Sequence, residues 1–235
     1  MTGVSMNKSF LSIIVPVLNE IEILPEFINN LNQQSQSPQE LIIVDGGSTD
    51  GSWEWLNNNP SIKAYQTQKG RAFQMNHGVE NATLPWIYFV HVDSRLPLNF
   101  DEKISNAIQN GAQSGCFQLK FDTSNWILRK AAAGSKWNHL LCRGGDQTPF
   151  VSKKIFLSFQ GYDTSYRVCE DIQFIKKLYQ QNNFRVLPDK VITSSRRFYE
   201  NGILRLLFHF GVLHLSHWLG VGPQFLNAYY QRMIH

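Results

Sequence analysis

Four short apolar runs, each closed by a polar or acidic turn, constrain this chain more than any other feature. They are Leu11 to Val17 (LSIIVPV), Leu41 to Val44 (LIIV), Ile62 to Thr67, and Trp86 to Val92 (WIYFVHV). Runs of this length, without alternating polar positions, fit strands buried on both faces. Between them apolar residues recur at helical spacing: Ile21, Leu24, Phe27, Ile28 and Leu31; Trp53 and Leu56; Ala72, Met75, Val79 and Ala82. Strand–helix alternation of this kind implies an α/β fold, a doubly wound, mostly parallel sheet with helices on both faces and right-handed crossovers. Ligands of such sheets bind beyond the carboxyl ends of the strands, so the residues closing each run are the ones to inspect.

After Asp93 the pattern loosens. Residues 101–110 read as a helix, 115–121 as a strand, 126–141 as a helix, and Gly144 to Thr148 as a polar loop. Ile172, Ile175, Leu178 and Tyr179 mark a helix opened by Glu170 and Asp171, and residues 184–195 a last strand. The expectation is a single domain over 1–235: 10–95 a ligand-binding half, 96–200 a second half completing the site, and 201–235 an apolar helical segment. The 43% hydrophobic content argues against disorder, and 22 basic against 18 acidic residues, without charge runs, are no nucleic-acid footprint. Cys116, Cys142 and Cys169 show no CxxC spacing, so neither a disulfide framework nor a zinc site is expected. The opening MTGVSMNKSF lacks a signal-peptide core. A cytoplasmic location is the expectation.

The strand ends supply a coherent set: Asn19 and Glu20, Asp45 to Asp50, then His91, Asp93 and Ser94. Single acids there serve as caps or complement a helix dipole, a reading open to Asp50 and Glu20. Clustered carboxylates repel unless a cation or a donor-rich ligand joins them.

The segments PVLNE (16–20), VDGGSTDGS (44–52) and HVDS (91–94) resemble the inverting glycosyltransferases of family two, which use the GT-A nucleotide-sugar fold. GRAFQMNHG (70–78), GDQ (145–147), Glu170-Asp171 and SSRRFYENG (194–202) bring the chain nearest to the bacterial radical-SAM- or selenodomain-associated transferases. This resemblance implies transfer of a sugar from a UDP- or GDP-sugar donor to a hydroxyl acceptor. It implies a Mg²⁺ or Mn²⁺ ion held by Asp93 against the diphosphate. It places Asp45, Gly46 and Glu20 around base and ribose, with Pro16 shaping the strand's exit. Arg71, Gln74 and Asn76 would reach the diphosphate or the sugar, and Met75 the core. Asp171 would be the general base, with Glu170 beside it positioning the acceptor or tuning its neighbour. Asp146 would face the acceptor or serve as a turn residue, and Arg196 and Arg197 would neutralise phosphate or remain surface charges. One departure stands out. His91 replaces the first acid of the family's DxD cluster, leaving Asp93 as the evident metal ligand; His91 also reads as a packed strand histidine.

Two other readings compete. A dinucleotide-binding oxidoreductase would need G-x-G-x-x-G after the first strand, where PVLNEIE stands. A nucleotide-sugar-binding protein without turnover is opposed by the retained Asp93 and Glu170-Asp171, while His91 in the DxD position keeps that reading open. The run from 203 to 221, ILRLLFHFGVLHLSHWLGV, is interrupted by Arg205 and three histidines, so it spans a bilayer poorly. It is expected to make a peripheral contact at the inner membrane face, to pack on the domain, or to form a homodimer. His214 and His217 stand at metal-ligand spacing, although a packed pair is the simpler reading.

Overall fold

The computed structural model describes residues 9–234 apart from Pro38 and Asn182. Most of the stretch read for a signal peptide therefore lies outside the described residues. The elements follow in the order β1 (Leu11–Val17), α1 (Leu24–Gln34), β2 (Glu40–Asp45), α2 (Ser52–Asn57), β3 (Lys63–Gln66), α3 (Arg71–Asn81), β4 (Trp86–Phe89), α4 (Phe100–Gln109), β5 (Ser114–Phe121), α5 (Trp126–Ala133), β6 (Phe150–Ser152), α6 (Lys153–Ser158), α7 (Glu170–Tyr179), β7 (Phe184–Thr193), α8 (Arg196–Asn201), α9 (Ile203–Trp218) and α10 (Pro223–Met233).

Among the described residues the strands form one seven-stranded sheet in the order β3-β2-β1-β4-β6-β5-β7. Only β6 runs against its neighbours. Apolar side chains of β1 alternate between two cores. Leu11, Ile13, Val15 and Val17 pack with α1 and α4 through Leu24, Phe27, Phe100 and Ile104. Ile14 packs on the other face with Ala72, Met75 and Val79 of α3 and Phe174, Ile175 and Leu178 of α7. Gly78 lets α3 lie against β1, since a Cβ there would collide with Ile14. A third cluster joins Leu128, Cys169 and Ile172 to Leu206, Leu213 and Leu226, which docks α9 and α10 beside the start of α7.

Three elements differ from the sequence reading. Strand β4 stops at Phe89, so His91 and Asp93 ride on a turn beyond it. The helix expected over 126–141 ends at Ala133 and continues as short 3₁₀ turns. Strand β6 has no counterpart in the sequence reading, because three residues carry too little periodicity to register. Its antiparallel direction starts it at the edge where the parallel strands end, and so delivers the preceding Gly144–Gln147 loop to that edge. Pairing of β1 with β4 ends at Ile14–Phe89, and Pro16, which has no N–H to offer, lies just beyond. The sheet's winding reverses between these two strands, leaving a crevice.

Candidate active site

The loops after β1 and β2 are tied together before any ligand enters. Asn19, in the left-handed region at φ 57°, donates its N–H to Ser48 Oγ and accepts Thr49 N–H on its side chain. Asp50 accepts from Ile21 N–H and from both Ser52 N–H and Oγ–H. It is thus a loop-to-loop tie as well as a cap for α2. Asp45 at the end of β2 is fully buried. Its Oδ1 accepts from Gly47 N, Ser48 N and Gln66 Nε2 at 2.8, 3.0 and 3.1 Å. Its Oδ2 is buried and receives no hydrogen bond among the described residues. Such an oxygen is costly to leave unpaired and marks a place for an incoming N–H.

Across the crevice, Asp93 and Asp146 lie within electrostatic range of each other. Burial, then the Asp146 carboxylate, push the Asp93 carboxyl up to about 6, while Arg71 and Arg196 oppose the rise. Burial likewise raises Glu20, with Arg196 pulling back and Asp93 and Asp50 adding to the rise. His91 is held down to about 4 by burial and by Arg71, against the pull of Asp171, so it is a neutral imidazole. Its charged neighbours are therefore Arg71 and Asp171.

Glu170 and Asp171 open α7. Glu170 is 2% exposed, with Oε1 3.3 Å from Arg71 Nε and Oε2 buried without a donor among the described residues. Burial pushes its carboxyl up, Arg71 pulls it down and Asp171 pushes it up, with a net rise. Glu170 in turn stabilises the Arg71 cation. Asp171 Oδ2 accepts the Gly145 N–H, and a Cβ at Gly145 would collide with that oxygen. The glycine of the GDQ loop is therefore required by close approach. The loop is latched by the fully buried Arg143, which donates to Gln147 Oε1, to Cys116 Sγ, and to the Ser135 and Trp137 carbonyls.

The crevice thus brings together Glu20, Arg71, Asp93, Asp146, Glu170 and Asp171, with Asp45 and Gly46 at the end of β2. Three expected contacts go elsewhere. Gln74 is buried, and its Nε2 donates to Val17 O and Val44 O at 2.7 and 2.8 Å, clamping β1 to β2. Asn76 exchanges two hydrogen bonds with the backbone of Tyr162. Arg197 donates to Tyr230 Oη and lies over the Phe210 ring, whereas Arg196 faces Glu20 and Asp93. Successive residues of α8 point about 100° apart, which sets the two guanidinium groups on different sides of the helix start. His214 and His217 belong to no metal-holding group among the described residues; His217 packs edge-on to Tyr166. Sequence reasoning quoted the GDQ loop without a role for Gly145 and did not name Arg143, since the short β6 that fixes their loop leaves no periodic signal.

A divalent ion fits part of this donor set. Asp93 and Asp146 are short of the three side chains that would form a protein-only site, but Mg²⁺ or Mn²⁺ takes one or two carboxylates and completes its shell with phosphate and water.

Comparison with known proteins bears on the fold and the family. A glycosyltransferase of PGL/p-HBAD biosynthesis from Mycobacterium bovis is 34% identical over 97 residues, covering 39% of this chain and 38% of that protein. The chain thus spans under two-fifths of the length of that curated relative. Among solved structures, S. aureus TarS in complex with UDP-GlcNAc superposes with a TM-score of 0.66 at 17% identity, over 79% of this chain and 58% of TarS. The Pyrobaculum calidifontis mannosyltransferase PcManGT in complex with GDP-Man and Mn²⁺ gives 0.65 at 17% identity, over 94% of this chain and 69% of that one. These neighbours share its GT-A fold. The model of the family Glycosyl transferase family 2 matches residues 12–169, most of the sheet and the whole run from PVLNE to the threshold of Glu170, and the chain belongs to that family.

Proposed function

We propose that the protein transfers a sugar from a nucleoside-diphosphate donor to a hydroxyl acceptor, with inversion at the anomeric carbon. The observation that carries this reading is Asp45 Oδ2, buried and without a donor at the end of β2. It suits the N–H of a base, while the acidic crevice beyond β4 suits a cation and a diphosphate. Asp93, with Asp146 nearby, would hold Mg²⁺ or Mn²⁺. When bound, the ion supplies charge stabilisation for the departing diphosphate. Arg71 and Arg196 add fixed positive charge beside it.

Asp171 takes the acceptor's proton as its oxygen attacks the face opposite the leaving phosphate. The Gly145 N–H fixes Oδ2 of that carboxylate, and Glu170 holds Arg71 in place. A thermal-shift screen of UDP- and GDP-sugars with and without Mn²⁺ tests the donor half. One base should stabilise the protein only when metal is present, and Asp93→Ala should abolish the shift. No shift with any nucleotide would defeat the reading.

The partner side rests on α9. Leu204, Phe208, Leu215 and Trp218 are exposed, as are Leu219 and Phe225, and residues 203–234 contain no acid. Among the described residues, no helix is long and apolar enough to cross a membrane. This surface supports a peripheral contact with an anionic bilayer. Co-sedimentation with phosphatidylglycerol vesicles, and not with phosphatidylcholine alone, is the expected result; no sedimentation with either rejects it.

A further inference from the structure

A second cleft, of about 470 Å³, lies outside the donor crevice, where α10 packs against the start of α7. Its walls are Phe73 on α3, Ser165 and Arg167 in the loop before α7, and Gln224, Asn227 and Gln231 on α10. The cleft is open to solvent, with Ser165, Arg167, Gln224 and Gln231 all exposed, which suits a polar ligand bound at the surface. Two of its walls neighbour the Arg71–Glu170 ion pair along the chain. Phe73 stands two residues after Arg71, and Arg167 three before Glu170. Tyr230, next to Gln231, lies within electrostatic range of Arg71.

The three amides recur at i, i+3 and i+7, which puts them on one face of α10. Asn227 uses both ends of its amide on the loop, accepting Arg167 N–H and donating to Ser165 O, each at 3.0 Å. The loop is thereby fixed against the helix. The side chains of Gln224, Gln231 and Arg167 make no hydrogen bond among the described residues. Two free amides offer paired donors and acceptors to vicinal hydroxyls, Phe73 offers an apolar ring, and Arg167 offers a fork for an oxyanion.

We infer that this cleft is the acceptor subsite, and that it takes a sugar or polyol bearing an anionic substituent that faces Arg167. The inference deepens the transfer reading and depends on it for the word acceptor; the binding of such a ligand does not. The test is saturation-transfer NMR on the full chain with methyl glucoside and glucose 6-phosphate as probes, with the Mn²⁺-dependent UDP thermal shift measured in parallel.

Both probes should saturate in the millimolar range, the phosphate ester about tenfold tighter. Arg167→Gln should erase that difference alone, and Gln224→Leu with Gln231→Leu should weaken both probes about tenfold or more, with the UDP shift intact. Absence of saturation by either probe overturns the inference, as does binding unchanged in both variants. Equal affinity for the two probes in wild type overturns the anionic part. Should the paired leucine variant lose the UDP shift as well, Arg167→Gln decides alone. A missing UDP shift in wild type, with sugar binding intact, would instead indict the donor reading.

Discussion

Gln74 separates the fold's needs from the ligand's more cleanly than any other residue. Resemblance places it at the donor, but the structure spends its amide nitrogen on Val17 O and Val44 O, at the ends of β1 and β2. Gln74→Leu keeps the volume and removes both bonds. Val17 O retains the Gly46 N–H, so one of the two carbonyls keeps a partner. At roughly 1 kcal/mol of net stability per buried hydrogen bond, the loss is about 2 kcal/mol. For a chain of this size that lowers Tm by about 4–8 °C. Urea unfolding should show a lower midpoint at unchanged slope, while KM for the nucleotide-sugar stays within about threefold of wild type. A variant as stable as wild type whose KM rises tenfold would refute the clamp and restore Gln74 to the donor.

Glu40 predicts an acid-sensitive fold. Burial raises its carboxyl, but Lys63, the Ser12 hydroxyl and the Thr83 N–H and O–H outweigh it and bring it to about 2. With the folded value below the ordinary one, its contribution is complete above about pH 4.5 and fades as pH falls toward 2. Glu40→Gln should therefore cost about 2–3 kcal/mol at neutral pH and far less at pH 3 by denaturant titration, and an equal loss at both would contradict this. Asp93, raised to about 6, is protonated below that value, so Mn²⁺ affinity should fall about tenfold per pH unit below 6 in a calorimetric titration; a flat profile from pH 7 to 5 would count against it as the ligand. Gly145→Ala should drive Asp171 off its position and lower kcat by at least about a hundredfold with little change in nucleotide affinity, whereas wild-type kcat would show that the contact is dispensable.

The parallel half of the fold was legible because β1, β2 and β4 are buried on both faces, which leaves continuous apolar runs in the sequence. The acids closing those runs were legible for the same reason, since a strand's end has a fixed place in a doubly wound sheet. What side chains do there was less so. Gln74 and Asn76 are amides, which satisfy backbone and ligand equally well on paper, and only the paths of Val17, Val44 and Tyr162 show where their bonds go. Arg196 and Arg197 are chemically identical, and the start of α8 alone decides which faces Asp93. Strand β6, three residues long, left no periodic trace. With it went the reason for Gly145, whose backbone N–H reaches a carboxylate 26 positions on.

The central claim, that α7 supplies the base and the crevice the donor, is tested most directly by nucleoside-diphosphate release from a donor identified by its thermal shift. Wild type should turn the donor over with Mn²⁺ present. Asp171→Asn should lose about 10²–10⁴-fold in kcat while keeping its Mn²⁺-dependent nucleotide shift. Undiminished turnover in Asp171→Asn would contradict the account.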